Sequence, residues 1–190
     1  MLEDVGSCYY NRGLELMSEN RISESMEGFK KAMKFGVSSS DCYNLLGLCL
    51  FSLGRFDEAD CFWKKSIKIN DAADNPAQSY IAYTKDKGFQ DMCQSYNIAL
   101  KYAEDRKYKK AVEILQKGNV LKLNCVLFQN FYGLCLYASG DKTNSQRAWI
   151  KSLKIDGSNT DTLYYLSNAE VKEVKGIFGW IGNLLGFKEQ

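Results

Sequence analysis

The sequence predicts an all-α chain of stacked helix–turn–helix units, and three observations carry that expectation. A fixed set of residue types recurs every 34 positions. Each recurrence holds two amphipathic helical patterns joined by a short turn. The whole arrangement is then written a second time, 86 residues further along.

Gly47 is a convenient reference for the recurrence. Tyr43 precedes it, and Leu50, Ala59, Trp63 and Ser66 follow. At the same offsets, Gly13 has Tyr9, Leu16, Ser25, Phe29 and Ala32. Gly133 has Leu136, Ser145, Trp149 and Ser152, and Ala99 has Tyr102, Ala111, Leu115 and Gly118. A period of this length marks helix pairs that cannot bury their apolar faces alone and must stack. Small residues at the reference position and at Ala59 and Ala111 let two backbones approach. Phe29, Trp63 and Trp149 fill the space between units. The pattern resembles the tetratricopeptide repeat family over residues 6–73 and 92–159. That resemblance implies a right-handed α-solenoid used for non-enzymatic protein binding. The proline that often closes a family repeat is absent, its places taken by Val37, Asp71, Leu123 and Gly157.

In chain order, residues 6–19 and 22–35 are expected as the first helix pair, with Gly36 stopping the second helix. Ser38, Ser39, Ser40 and Asp41 offer caps for the next pair, which runs to about Asn70. The period then slips: 52 residues separate Gly47 from Ala99. The inserted stretch contains Asn75-Pro76, a good helix start, so Ala77–Lys87 is expected as an extra helix closed by Gly88. After the fourth pair, residues 158–175 repeat this role. The expected organisation is repeats one and two with an extra helix (6–91), repeats three and four with another (92–175), and a glycine-rich amphipathic tail (176–190). One continuous but bent array is expected rather than two lobes, because a lone two-repeat lobe has little core.

Composition narrows the function classes. The chain has 190 residues, 45% hydrophobic, with net charge +2, which gives no electrostatic argument for nucleic acid. Its acidic N-terminus is not a secretory signal, and no apolar run is long enough to span a bilayer. Seven cysteines and no histidine read as reduced thiols in a cytoplasmic protein, with no metal site of common type and no cofactor. Without histidine, serine and cysteine triads are excluded. No phosphate-binding glycine loop is present. Asp57-Glu58 falls in the first turn of a helix, where it complements the helix dipole. No catalytic residue is expected.

Lys31, Lys34, Lys65, Lys68, Lys117, Lys151 and Lys154 recur on the second helices of the pairs. They read as solvation and helix-end charge, with a basic stripe for an acidic partner as the other reading. The concave side is more informative. By the resemblance, its lining includes Tyr10, Asn11, Leu14, Asn44, Leu48, Phe51, Tyr96, Asn97, Asn130, Phe131, Leu134 and Tyr137. An asparagine recurs in every repeat, and an amide can both donate to and accept from an extended peptide's backbone. The expectation is a protein or peptide partner in this groove, with apolar pockets for its side chains. The alternatives are that the asparagines cross-link helices, or that the protein's own tail fills the groove. A carboxylate clamp is not expected, since Ser7, Tyr10, Asp41, Asn44, Cys93 and Tyr96 stand at its positions. The tail's Ile177, Trp180, Ile181, Leu184 and Leu185 gather towards one helical face. It could cap the last repeat, touch a membrane surface weakly, or dock on a second copy to give a homo-oligomer.

Overall fold

The structure is a computed structural model and describes residues 2–169. The tail of residues 176–190 lies outside the described residues. Ten α-helices and one 3₁₀ turn make up the described chain, with no strand among the described residues. The helices are α1 (Leu2–Ser18), α2 (Ile22–Lys34), α3 (Ser40–Leu53), α4 (Phe56–Ile69), α5 (Ala77–Lys85), α6 (Lys87–Glu104), α7 (Tyr108–Lys117), α8 (Val126–Ala138), α9 (Lys142–Ile155) and α10 (Thr160–Asn168). The 3₁₀ turn, Val120–Lys122, links α7 to α8. Each helix packs on its neighbours in sequence, and the four 34-residue units are α1–α2, α3–α4, α6–α7 and α8–α9.

The duplicated sequence produces duplicated local geometry. In every unit, one turn residue between the paired helices adopts positive φ: Asn20 (56°), Gly54 (93°), Arg106 (60°) and Gly140 (95°). Glycine and asparagine tolerate this left-handed conformation best, and it ends the first helix sharply enough for the second to fold back. Trp63 and Trp149 are fully buried. Their indole N–H groups donate to the backbone oxygens of Asn44 (3.3 Å) and Asn130 (3.4 Å). A Cβ on Gly47 would stand 2.2 Å from Trp63 Nε1, and one on Gly133 would stand 2.4 Å from Trp149 Nε1. These two glycines are therefore required by close approach. Phe29 serves the same packing in the first unit, where a Cβ on Gly13 would stand 2.7 Å from its ring, and Ser25 Oγ donates to Gly13 O at 2.7 Å.

The inserted segment differs from the sequence expectation. Pro76 caps α5 rather than opening it, and Asn75 Oδ1 accepts from Ala77 N at 3.1 Å. The helix ends at Lys85, not Lys87, and Gly88 lies inside the first turn of α6. Asp86 is responsible: its carboxylate accepts from Gly88 N at 2.7 Å and starts α6 five residues before the expected third repeat. A capping side chain outweighs the helix-breaking tendency of one glycine. α10 occupies the equivalent place after the fourth unit, beginning at Thr160 with Asn159 Oδ1 accepting from Thr162 N at 3.0 Å.

We refer to α1–α5 as the first half and α6–α10 as the second. One apolar cluster lies in the first half, around Phe29, Leu46, Leu50, Trp63 and Ile81. A second gathers Tyr96, Leu115, Phe128 and Phe131, and a third gathers Leu134, Trp149 and Tyr165. The halves are not independent. Aromatic rings run continuously from Trp63 through Phe51, Phe89, Phe56 and Phe128 to Tyr96 and Phe131, with centroid spacings of 4.8–5.8 Å. A second contact joins the two ends of the array. Gly157 N donates to Asn20 O at 2.8 Å, and the Asp156 carboxylate accepts from Ser23 N (3.2 Å) and Ser23 Oγ (2.5 Å).

Candidate protein-interaction surface

The concave side of each half is built by its A helices, α1 and α3 or α6 and α8, with the extra helix beside them. The linings match position by position across the duplication: Tyr10 and Tyr96, Leu14 and Leu100, Asn44 and Asn130, Leu45 and Phe131, Leu48 and Leu134, Phe51 and Tyr137. Their environments do not match. In the second half, Tyr96 (7% exposed), Phe131 (5%), Leu134 and Tyr137 are buried. In the first, Leu14 is 39% exposed, Asn11 is exposed, and Tyr10, Leu48 and Phe51 are half-buried. Tyr10 leans on Phe29 at 5.6 Å. Burial, and then the nearby Asp41, raise its phenol above the ordinary tyrosine range.

The second half's concave side is covered by the first half itself. The α3–α4 turn, Leu53-Gly54-Arg55, and Met26 of α2 face Tyr96, Leu127, Asn130, Phe131 and Leu134 across a cavity of about 480 Å³. Gly54 meets Leu127 so closely that a Cβ there would stand 2.4 Å from the leucine's own Cβ. Arg55 is held by a two-point ion pair with Glu58, at 2.6 and 2.7 Å. The Arg55 hydrogen bonds, with the charges of Arg55 and Lys30 behind them, hold the Glu58 carboxyl below its usual value against the opposing effect of burial. The fork geometry keeps the guanidinium from entering the cavity as an unpaired charge.

The asparagines divide into two kinds. Asn44 Nδ2 donates to Asn75 Oδ1 at 3.0 Å, and Asn75 in turn donates to Ser66 Oγ and to Asn70 O. Asn130 Oδ1 accepts from Thr162 Oγ1 at 3.0 Å, and Thr162 also meets Ser152 Oγ at 3.2 Å. Asn130 thus binds α8 to α10 and Asn44 binds α3 to the residue that leads into α5, and both are buried. Asn44 Oδ1 is left with no hydrogen-bond partner. Asn11 and Asn97 are exposed on the helix surface. Asn97, with Cys93, Phe89 and Phe128, borders a second cleft of about 510 Å³ against Arg55 and Asp57.

Sequence reasoning missed Ser23, Met26, Leu53, Arg55 and Asp156, the residues through which the halves meet. Asp156 is fully buried and accepts from Ser158 N and Oγ, and from Asn159, as well as from Ser23. Two departures from the duplication are clear sequence traces of this contact. Asp156 stands where the first half has the exposed Asn70, and Leu127 stands where it has the exposed Asp41. Among the described residues, no group of histidine, cysteine and carboxylate side chains could hold a metal ion. None of the described helices is long and apolar enough to cross a membrane.

Comparison with known proteins points to one family. Residues 40–72, the second unit, match the family model of the tetratricopeptide repeat. The TPR repeat-containing protein YsoA of Bacillus subtilis (strain 168) is 30% identical over 57 residues, covering 30% of this chain and 17% of that protein. The chain therefore spans under a fifth of that relative's length. Among solved structures, the TPR domain of P58(IPK) aligns with a TM-score of 0.46 at 14% identity, over 86% of this chain and 45% of the other. The structure of pilF from Pseudomonas aeruginosa aligns with a TM-score of 0.38 at 13% identity, over 100% of this chain and 79% of the other.

Proposed function

The chain is a tetratricopeptide repeat protein, and we propose that it is a non-enzymatic interaction scaffold whose receptive surface is the concave side of its first half. An extended segment of a partner protein would lie across α1 and α3, with its apolar side chains against Tyr10, Leu14, Leu48 and Phe51. Asn11 would supply a side-chain amide at the rim. The observation that carries this reading is the contrast between matched linings. Tyr96, Phe131 and Leu134 face Leu53, Gly54 and Met26 in the second half, whereas Tyr10 and Leu48 stay half-buried and Leu14 exposed in the first; Phe51 alone of the first lining packs on Tyr83 and Phe89. A leucine 39% exposed beside half-buried aromatic and leucine side chains is an apolar patch with polar edges, the pattern of a binding surface. Affinity would come from apolar burial rather than charge, so raising salt to 0.5 M would change it little.

The test is affinity capture from lysate with three forms of the protein, each first checked for helicity and melting temperature. Wild type is compared with Leu14→Asp/Leu48→Asp and with Asn97→Asp, a surface control in the second half. Partners captured by wild type and the control but lost with the double variant support the reading. A captured set unchanged by the double variant overturns it.

A further inference from the structure

The two halves are joined through a single non-helical residue. α5 ends at Lys85 and α6 begins at Lys87, leaving Asp86 between them at φ −62°, ψ 143°. Its φ is already that of a helix, and only ψ differs from the helical value of about −42°. Rotation about that one bond would fuse α5 and α6 into a single helix over residues 77–104. Three local features hold the bent junction. Asp86 accepts one hydrogen bond from Gly88 N, Gln90 Nε2 donates to Thr84 O at 2.5 Å, and Phe89 sits among Phe51, Phe56 and Tyr83.

The other contacts between halves lie far along the chain from this hinge. They are the Phe56–Phe128 ring contact, the seat of Gly54 on Leu127, the Asp156–Ser23 pair and the Gly157–Asn20 bond. None of them depends on the two halves belonging to the same molecule. Straightening the hinge would uncover Tyr96, Leu100, Leu127, Phe131 and Leu134 on one side, and Met26 and Leu53 on the other. A second copy opened in the same way carries both complementary surfaces.

We propose that the concave side of the second half is a socket for the first half of a second copy. The chain then forms a reciprocal exchange dimer, each subunit crossing to the other through a continuous 77–104 helix. The Phe56–Phe128, Gly54–Leu127, Asp156–Ser23 and Gly157–Asn20 contacts are regained in such a dimer, so the local junction over residues 83–90 and protein concentration separate it from the closed monomer. This inference does not rest on the binding surface proposed for the first half.

Two exposed positions test it by light scattering after size-exclusion chromatography across a concentration series. Asp86→Ala removes the cap that only the bent hinge uses and puts a strong helix former at the one residue that must become helical. It should favour the straight hinge by about tenfold per chain, and the dimer by about a hundredfold. Adding Lys87→Pro should return that variant to monomer. Proline suits the first position of α6 but holds residue 86 out of the helical region and breaks a fused helix. In a Cys8→Ser/Cys61→Ser background, cysteines at Asn20 and Gly157 should link two chains in the dimer and one chain in the monomer. The proposal is overturned if Asp86→Ala elutes as wild type does at every concentration. It is equally overturned if a dimer survives Lys87→Pro, or if the linked cysteines of the dimer lie within one chain.

Discussion

The two halves of this molecule share a plan and differ in fate. Both place a tryptophan under a glycine, and both bond an asparagine of the second A helix to the extra helix or to the loop that leads into it. Both turn their paired helices on a glycine with φ near 95°. Yet Gly54 is pressed against Leu127 and Cys125, whereas Gly140 has nothing within 4 Å of where its Cβ would be. Asp156 is fully buried under five hydrogen-bond donor groups, whereas Asn70, its counterpart, is exposed. Tyr96 is buried where Tyr10 is not. Repetition therefore sets what each unit looks like inside. What each unit does depends on the surfaces at which the repetition was broken.

The sharpest way to break that comparison is to remove the buried carboxylate. Asp156→Ala would leave Ser23 and Ser158 donors without an acceptor in a dry junction, a loss of about 3 kcal/mol. Asn70→Ala removes one exposed bond to Ala72 N and should cost less than about 1 kcal/mol. Urea unfolding monitored by circular dichroism measures both. Equal losses would mean that the junction between halves contributes little to stability.

A smaller contrast is expected at the turns. Gly140→Ala meets only the strain of a positive φ, about 1 kcal/mol. Gly54→Ala meets the same strain together with the collision against Leu127, and should lose about 2–3 kcal/mol. The difference between the two melting shifts isolates the contact between halves.

The smallest effect lies in the thiols and leaves the halves alike. Burial pushes Cys49 of the first half and Cys125 and Cys135 of the second up to about 12, and Cys42 to about 11. Unfolded thiols ionise near 9.0, so above that pH the unfolded chain loses protons that the folded chain keeps. Stability should then fall as pH rises from about 9 towards 12, with no contribution from these groups below 9. At pH 8, a disulfide reagent should label Cys8 and Cys61 quickly, both being exposed. Cys42, Cys49, Cys125 and Cys135 should react only at the rate of unfolding. Rapid labelling of Cys125 alone would instead show the second half opening by itself.

Much of the fold was legible because its determinants are local or periodic. The Gly47–Trp63 and Gly133–Trp149 pairs lie 16 residues apart in each copy, within one helical hairpin, so a single spacing rule finds them both. The short extra helix was visible in Asn75-Pro76, but its end was misread, because Asp86 reads as an ordinary polar residue until it is seen capping α6. The recurring asparagines looked alike in the sequence. Only packing separates Asn44 and Asn130, whose amides face the extra helices, from Asn11 and Asn97, which face outwards.

The sequence by itself determined the all-α class, the 34-residue unit, the duplication and the residues at the centre of each hairpin. These follow from periodicity, and periodicity is a property of neighbours along the chain. The tertiary structure alone decided which concave side is covered and which is open. That choice rests on Ser23 with Asp156, on Gly54 with Leu127, and on one backbone torsion at Asp86. The first two pairs are separated by 133 and 73 positions, and no local rule couples residues so distant. Their energies depend on surfaces that exist only once both halves have folded.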